Sequence, residues 1–268
     1  MSSLPIYFNY LVEELPGLTK DVEGHLSEKE IKFLALLAAC PTAKGEVLEI
    51  GSFRGKSTIV LAKGATLTDR VHVVAVDPLS SPSITDPHIN SEKTSLTAFR
   101  DNLKSAGVEG FVEFHQKYSS ELAGDWNRKI RLLWIDGDHT LSGTKTDFSM
   151  FSRFLSDGAI VAIQDVLHGF EGCISVFMED ILLSDNFGPA GVCGSLGWGQ
   201  YFENRDTGRK YMHQRNRIHR RLKKLRPLTQ GSKTLKGFTK IRYKILRWRV
   251  PHSDVNPLNW LKEVTFNG

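Results

Sequence analysis

The feature that most constrains the fold is the stretch from Val47 to Leu61, which reads VLEIGSFRGKSTIVL. A short apolar run ends at Gly51, and a second glycine, Gly55, opens a segment with the apolar spacing of a helix. This order predicts a buried strand, a tight turn and a helix whose N-terminus points at whatever lies above the strand. The two glycines let the backbone approach a ligand closely. Such a unit is typical of proteins that bind a nucleotide-like or amino-acid-bearing ligand.

Two common phosphate-binding motifs do not fit this turn. A P-loop has four residues between its first glycine and Gly-Lys-Ser/Thr, whereas three residues separate Gly51 and Gly55. The dinucleotide fingerprint GxGxxG fails because Phe53 stands in the place of its second glycine. On this stretch alone, an ordinary strand-to-helix turn of another α/β protein stays open.

The pattern that remains is Glu-x-Gly-x-x-x-Gly-x-Ser, read from EIGSFRGKS. It resembles the first motif of S-adenosylmethionine (SAM)-dependent methyltransferases with a Rossmann-like fold. It is especially similar to the catechol and caffeoyl-CoA O-methyltransferase branch and its bacterial small-molecule and sugar relatives. The resemblance covers about residues 45–203. It implies that the cofactor is held by Glu49, Gly51, Ser52, Phe53, Gly55 and Ser57.

After this motif, short apolar runs alternate with helical stretches. The pattern predicts further strands at Val71–Val76, Phe111–His115, Leu132–Ile135 and Ala159–Ile163. It predicts helices at Ser91–Ala106, Thr144–Leu155 and Cys173–Leu183. Such alternation indicates a parallel sheet with helices on both faces and ligands at the carboxyl ends of the strands. The methyltransferase resemblance adds a closing antiparallel hairpin from Ala190–Cys193 and Trp198–Phe202. The expected fold is therefore α/β, Rossmann-like and doubly wound, with a mostly parallel seven-stranded sheet.

Two polar residues follow the second and third predicted strands. Asp77 lies 26 residues after Gly51, where a carboxylate can accept hydrogen bonds from ribose hydroxyls, as in dinucleotide folds. The alternative is an Asp-Pro turn. In the resembled family a short polar residue after the third strand lies beside the adenine ring, and Ser119 matches it. Ser119 is equally suited to cap the N-terminus of a helix.

The densest cluster of reactive side chains is Asp136, Asp138 and His139, directly after the fourth predicted strand. Two carboxylates and an imidazole so close together suit metal binding or proton abstraction. In the resembled O-methyltransferases the first aspartate binds a divalent cation, and an Asp-Asp or Asp-Asn pair after the fifth strand supplies two further ligands. That pair reads Gln164-Asp165 here. Because an amide replaces a carboxylate, a Mg²⁺ site from Asp136, Asp165 and Gln164 is expected to be weakened.

The same cluster contains the candidates for catalysis. Transfer of a methyl group from a sulfonium requires alignment of the nucleophile and removal of its proton. A cation would acidify an acceptor hydroxyl directly. Without one, His139 or Asp138 would take the proton, and His168 is a further candidate base. The resemblance also places Asp136 among the cofactor ligands. Enzymes that methylate base amino groups usually show Asn/Asp-Pro-Pro-aromatic here, so Asp-Gly-Asp-His favours an oxygen nucleophile.

Charge and periodicity divide the chain into three regions. Residues 1–44 are expected to form a helical cap, with Ser27 and Glu30 as a capping box. Residues 45–205 would form the SAM-binding domain. Residues 206–268 would form a basic amphipathic extension, since 209–249 contain sixteen Lys and Arg and no Asp or Glu, although the net charge of the whole chain is only +5.

The extension has two apolar stripes with helical spacing. The first contains Tyr211, Ile218, Leu222 and Leu225. The second contains Leu235, Phe238, Ile241, Ile245 and Trp248. Basic amphipathic helices suit an anionic membrane surface, and they also suit nucleic-acid phosphates. Packing on the catalytic domain, or on a second subunit of a homodimer, is the remaining alternative.

Three cysteines, Cys40, Cys173 and Cys193, show no CxxC spacing. This argues against a disulfide framework and for a reducing compartment, and with no evident secretory signal or spanning segment the expected location is cytoplasmic. The expected function is SAM-dependent O-methylation of a small molecule, sugar or glycan precursor. The alternatives are an RNA methyltransferase guided by the basic extension, or a non-catalytic membrane- or nucleic-acid-binding protein on the same scaffold.

Overall fold

The computed structural model describes residues 4–68, 72–79, 95–168, 170–229, 235–253 and 256–265. Its strands are β1 Glu46–Ile50, β2 Val73–Val76, β3 Val112–His115, β4 Ile130–Ile135, β5 Leu155–Ile163, β6 Phe187–Cys193 and β7 Leu196–Tyr201. They form one seven-stranded sheet in the order β3-β2-β1-β4-β5-β7-β6. The first five strands run parallel, and β7 is antiparallel to both β5 and β6. The predicted Rossmann-like sheet with a closing hairpin is confirmed.

The helices before the hairpin are α1 Phe8–Thr19, α2 Glu28–Ala39, α3 Lys56–Ala65, α4 Ser95–Ser105, α5 Ser119–Asp125, α6 Leu141–Ser152 and α7 Glu171–Val176. A 3₁₀ turn lies at Glu109–Phe111, and α7 continues as a π-helix over Phe177–Leu182. The helices after it are α8 Arg205–Arg209, α9 Met212–Thr229, α10 Gly237–Trp248 and α11 Pro257–Thr265. The capping box of α2 is confirmed, because the Ser27 side chain accepts from Glu30 N and the Glu30 carboxylate accepts from Ser27 N.

Several element boundaries differ from the predicted ones. β5 begins at Leu155 rather than Ala159 because Gly158, with φ +86°, is absorbed into the strand as an irregularity. α6 begins at Leu141 rather than Thr144 because the Thr140 hydroxyl caps it by accepting from Gly143 N. The predicted starts of β2 and α4, at 71 and 91, lie outside the described residues.

The apolar core lies in two layers, one on each face of the sheet. On one face α2 is almost wholly buried against α3, and Phe33 packs with Trp198 and with Trp260 of α11. On the other face α6, α7 and α9 bury Phe151, Ile174 and Leu222. In the part of the chain that the structure describes, no helix is both long and apolar enough to cross a bilayer. All three cysteines are free thiols within the core.

Candidate cofactor and catalytic site

The turn after β1 is drawn tightly against the loop that follows β4. Gly51 N donates to Val76 O at 3.0 Å, and Asp136 N donates to Ile50 O at 2.8 Å. Gly51 has φ +86°, and a Cβ there would lie 2.3 Å from Asp136 O. Only glycine fits this position, because both the backbone conformation and the space exclude a side chain. At the other end of the turn, Gly55 has φ +88° and precedes α3.

Asp77 ties this turn to the end of β2. One carboxylate oxygen accepts from Ser52 N and Phe53 N, each at 2.8 Å, and the other accepts from Leu79 N at 2.7 Å. A carboxylate offers about four acceptor positions, so Asp77 keeps one for a further donor such as a hydroxyl. The structure therefore places the Asp77 carboxylate at the turn, as a ribose ligand would require. Its hydrogen bonds to backbone N–H groups also stabilise the local backbone.

Glu49, near the end of β1, contacts the first turn of α3. It is 0% exposed, and its carboxylate accepts from Ser57 Oγ at 2.5 Å and Thr58 Oγ1 at 2.6 Å. Burial raises the pKa of Glu49 to about 8, against the two hydroxyl donors that lower it. Glu49 and Ser57 are thus brought together, and their contacts are with each other and with α3.

Two histidine–carboxylate pairs stand at the carboxyl edge of the sheet. His139 Nε2 lies 3.2 Å from Asp136 Oδ1 after β4, and His168 Nδ1 lies 2.6 Å from Asp165 Oδ1 after β5. Burial lowers the pKa of His139, but the hydrogen bond and charge of Asp136 outweigh it, and the pKa is raised. Burial raises the pKa of Asp136, and His139 only partly offsets this. Burial alone would also raise the pKa of Asp165, but His168 reverses the sign and the pKa is lowered.

Asp138 sits differently from the other two members of its cluster. It is exposed, and its carboxylate accepts from Thr140 N and Thr140 Oγ1, each at 2.9 Å. These contacts order the loop at the start of α6. The structure therefore places Asp138 in a local turn, whereas His139 and Asp136 contact each other.

Ser119 contacts a buried carboxylate that the sequence pattern did not single out. Its hydroxyl donates to Asp147 Oδ1 at 2.5 Å, and the N-cap of α5 is Tyr118. The alternative that Ser119 is the N-cap of this helix is therefore wrong, because the N-cap is the residue before it. Burial raises the pKa of Asp147 to about 6, although the Ser119 hydroxyl lowers it. Asp147 looked like one polar position in the amphipathic helix α6, so no sequence signal separated it from a surface residue.

Glu30 and Ser195 form a second contact outside the predicted set. Ser195 N and Oγ lie 2.6 Å from Glu30 Oε1, and Ser195 Oγ lies 3.2 Å from Asp165 Oδ1. Gln164 Nε2 reaches Ser195 Oγ at 3.4 Å, and Gln164 Oε1 is buried without a partner among the described residues. The tip of the β6–β7 hairpin therefore links α2 to the loop after β5.

Among the residues that the structure describes, three other than glycine adopt positive φ: Phe53 at 45°, Leu79 at 50° and Asp165 at 62°. Each follows the carboxyl end of a parallel strand, at β1, β2 and β5 respectively. Such conformations are costly and cluster at functional sites. This edge of the sheet is therefore the candidate site, as the topology of an open α/β sheet also requires.

Comparison with known proteins finds a matching family model and similar folds. Residues 48–166 match the family model described as a methyltransferase domain. The fold is similar to an O-methyltransferase from Bacillus cereus in complex with SAH, at 20% identity and a TM-score of 0.52, over 72% of this chain and 90% of that one. It is also similar to the O-methyltransferase TomG from Streptomyces achromogenes, involved in tomaymycin synthesis and solved with SAM, at 19% identity and a TM-score of 0.51, over 75% and 96%.

The matched segment spans less than half of the 268 residues, but it contains the site from Glu49 to Asp165. Residues 48–166 therefore resemble a methyltransferase domain, and the sheet has the Rossmann-like fold of the O-methyltransferases to which it is similar. The fold implied by the first motif is confirmed.

Proposed function

We propose that the chain transfers the methyl group of SAM to a hydroxyl oxygen of a small molecule, sugar or glycan precursor. The observation that carries this proposal is the junction of the glycine turn with the His139–Asp136 pair. Gly51 packs directly on the backbone of Asp136, so a ligand above the turn lies next to a group able to accept a proton. When bound, SAM supplies an electrophilic methyl group on a sulfonium.

The residues at the turn fit the cofactor. The bare backbone at Gly51 leaves room that a Cβ would fill, and the N-terminus of α3 opens just beyond it. Ser52 Oγ is buried without a partner in the described chain, so it retains hydrogen-bonding capacity toward a ligand. Asp77 would accept from a ribose hydroxyl and Ser119 would flank the adenine. We revise the role of Glu49 and Ser57 to support of the turn.

Proton removal falls to His139 in this proposal. The imidazole would accept the proton of the acceptor hydroxyl, and the Asp136 carboxylate would stabilise the resulting imidazolium. As the oxygen–methyl bond forms, the methyl–sulfur bond of SAM would break, and its electron pair would remain on the sulfur of SAH. His139 Nδ1 is buried without a partner in the described chain, so one ring nitrogen stays available. Asp138, exposed and engaged by Thr140, takes no part.

The donor set at this edge does not fit a Mg²⁺ ion. Within the described ranges, no three or more His, Cys, Asp or Glu side chains converge as metal ligands. Asp136 and Asp165 are each paired with a histidine, and Gln164 supplies a neutral amide where a carboxylate would be stronger. We therefore assign no step to a metal, and the proposed reaction proceeds without one.

The proposed function predicts calorimetric binding of SAM and SAH, followed by SAH release when hydroxyl acceptors are added. Acceptors would be a panel of catechols and sugars, with matched analogues whose hydroxyls are already methylated as the control. Turnover should persist in EDTA, since no step uses a metal. Absence of any heat with either cofactor form at millimolar concentration would overturn the proposal. If EDTA abolished turnover, only the metal-free mechanism would be overturned, and the proposed methyl transfer would stand.

A second prediction concerns the proton-accepting pair. Asp136→Asn should lower the pKa of His139, because the hydrogen bond and charge that raise it are lost and burial remains. NMR titration of the histidine ring signals measures this shift, and His139→Asn identifies the signal by its disappearance. The signal of His168 serves as the internal control, since it pairs with Asp165. An unchanged or higher pKa of His139 in the variant would contradict the assigned pairing.

A further inference from the structure

The two apolar stripes of the C-terminal extension differ in how far they are buried. In α9 the side chains of Ile218, Leu222 and Leu225 are buried against the sheet-facing helices. That stripe is therefore packing surface, as one of the alternatives from the sequence required. In α10 the stripe faces outward, so this helix leaves a large apolar ridge on the surface.

The ridge of α10 is formed by Phe238, Ile241, Ile245 and Trp248, which are 82, 55, 48 and 82% exposed. Their spacing of three, four and three residues puts them on one face of the helix. The opposite face packs through Tyr243 and Leu246 onto the core. One face of α10 therefore packs on the core, and the other face, which carries the ridge, is exposed to solvent.

Cations flank this ridge on both sides. At about 100° per residue, Arg242 and Arg249 lie beside one edge of the ridge, and Lys240 and Lys244 lie beside the other. No Asp or Glu occurs between residues 209 and 249. On the outer side of α9, Arg217, Arg221 and Lys224 are also exposed. The apolar ridge is therefore flanked by cations on its own helix, and the neighbouring helix α9 exposes further ones.

We propose that α10 binds an anionic phospholipid surface, with its ridge in the acyl boundary and its cations against the headgroups. Trp and Phe on one face and Lys and Arg around them are what an interfacial helix requires. A second copy placed ridge to ridge would bring like-charged flanks together. Nucleic acid would match the cations, but it would leave the two isoleucines and Phe238 without an apolar environment.

The helix is also connected to the catalytic edge. The Tyr243 hydroxyl donates to Leu167 O, two residues after Asp165. A lipid-bound α10 would therefore hold the loop after β5 close to the membrane surface. This connection lies beyond the proposed methyl transfer and does not depend on it.

The test uses the full chain and vesicles of phosphatidylcholine with or without phosphatidylglycerol. We expect binding to the anionic vesicles to be at least about tenfold stronger. The double variant Phe238→Ser/Trp248→Ser should lose about tenfold or more of it, with an unchanged melting temperature because both side chains are exposed. The matched control Leu183→Ser/Leu258→Ser removes exposed leucines elsewhere, which are 45 and 59% exposed, and should bind like the wild type.

Fluorescence gives an independent readout of the same proposal. Trp126, Trp134, Trp198 and Trp260 are buried, so quenching by brominated acyl chains reports on Trp248. Vesicle-dependent quenching that Trp248→Phe removes while binding persists supports insertion of the ridge. Equal binding of the ridge variant and the wild type, or binding to an RNA oligonucleotide but not to vesicles, would overturn the proposal. No cofactor is needed, so this outcome is separate from that of the methyl-transfer tests.

Discussion

Alanine in place of Gly51 is expected to weaken cofactor binding severely. The new Cβ would lie 2.3 Å from the carbonyl oxygen of Asp136 and 2.5 Å from its carbonyl carbon, and the backbone would be held at φ +86°. The left-handed conformation alone costs about 1–2 kcal/mol, and the clash is with backbone that cannot rotate away. Relief therefore requires the turn and the loop after β4 to separate, which displaces both halves of the site.

Calorimetry with SAH measures the effect directly. We expect affinity to fall by at least about 100-fold, equivalent to about 2.7 kcal/mol, together with a lower melting temperature. Gly124→Ala is the matched control, because a Cβ at that position would meet no atom within 4 Å and its φ is not positive. Binding by Gly51→Ala within threefold of the wild type would show that the turn does not hold the cofactor.

The fold and the location of the site were predictable because both follow from local signals. Apolar runs that end at Gly51, Asp77 and Asp136 mark parallel strands, and parallel strands bring their carboxyl ends to one edge. The contact between Asp136 and His139 was also predictable, because the two residues are only three positions apart in the sequence. Sequence alone could thus place the reactive groups at the edge, but not their orientation.

Contacts between segments that are far apart in the sequence could not be predicted from it. Glu30 meets Ser195 across 165 residues, and its capping box already explained why a glutamate stands there. Asp147 is one polar position among several in α6, and only packing shows that it meets Ser119. The two stripes of the extension have the same period, so periodicity could not tell the buried one from the exposed one. Burial depends on which surface the rest of the chain leaves uncovered.

Glutamine in place of Glu49 is expected to remove a pH dependence of stability. Burial holds the pKa of Glu49 at about 8, against an ordinary value of 4.5. Between these values the folded chain keeps a proton that the unfolded chain releases, so the stabilising contribution is complete below pH 4.5 and is lost as the pH rises toward 8. The limiting slope is about 1.4 kcal/mol per pH unit. Glutamine is neutral throughout and has nearly the same shape.

Urea unfolding of the wild type and Glu49→Gln at several pH values between 5 and 8 tests this, because the other titrating groups cancel in the difference. The wild type should lose stability relative to the variant as the pH rises. Glu28→Gln is the matched control, since its side chain is 64% exposed and pairs with Lys32 on the surface of α2. A difference that is flat with pH, or that grows in the opposite direction, would mean that Glu49 is ionised in the folded chain. The hydroxyls of Ser57 and Thr58 would then be sufficient to stabilise a buried carboxylate at this position.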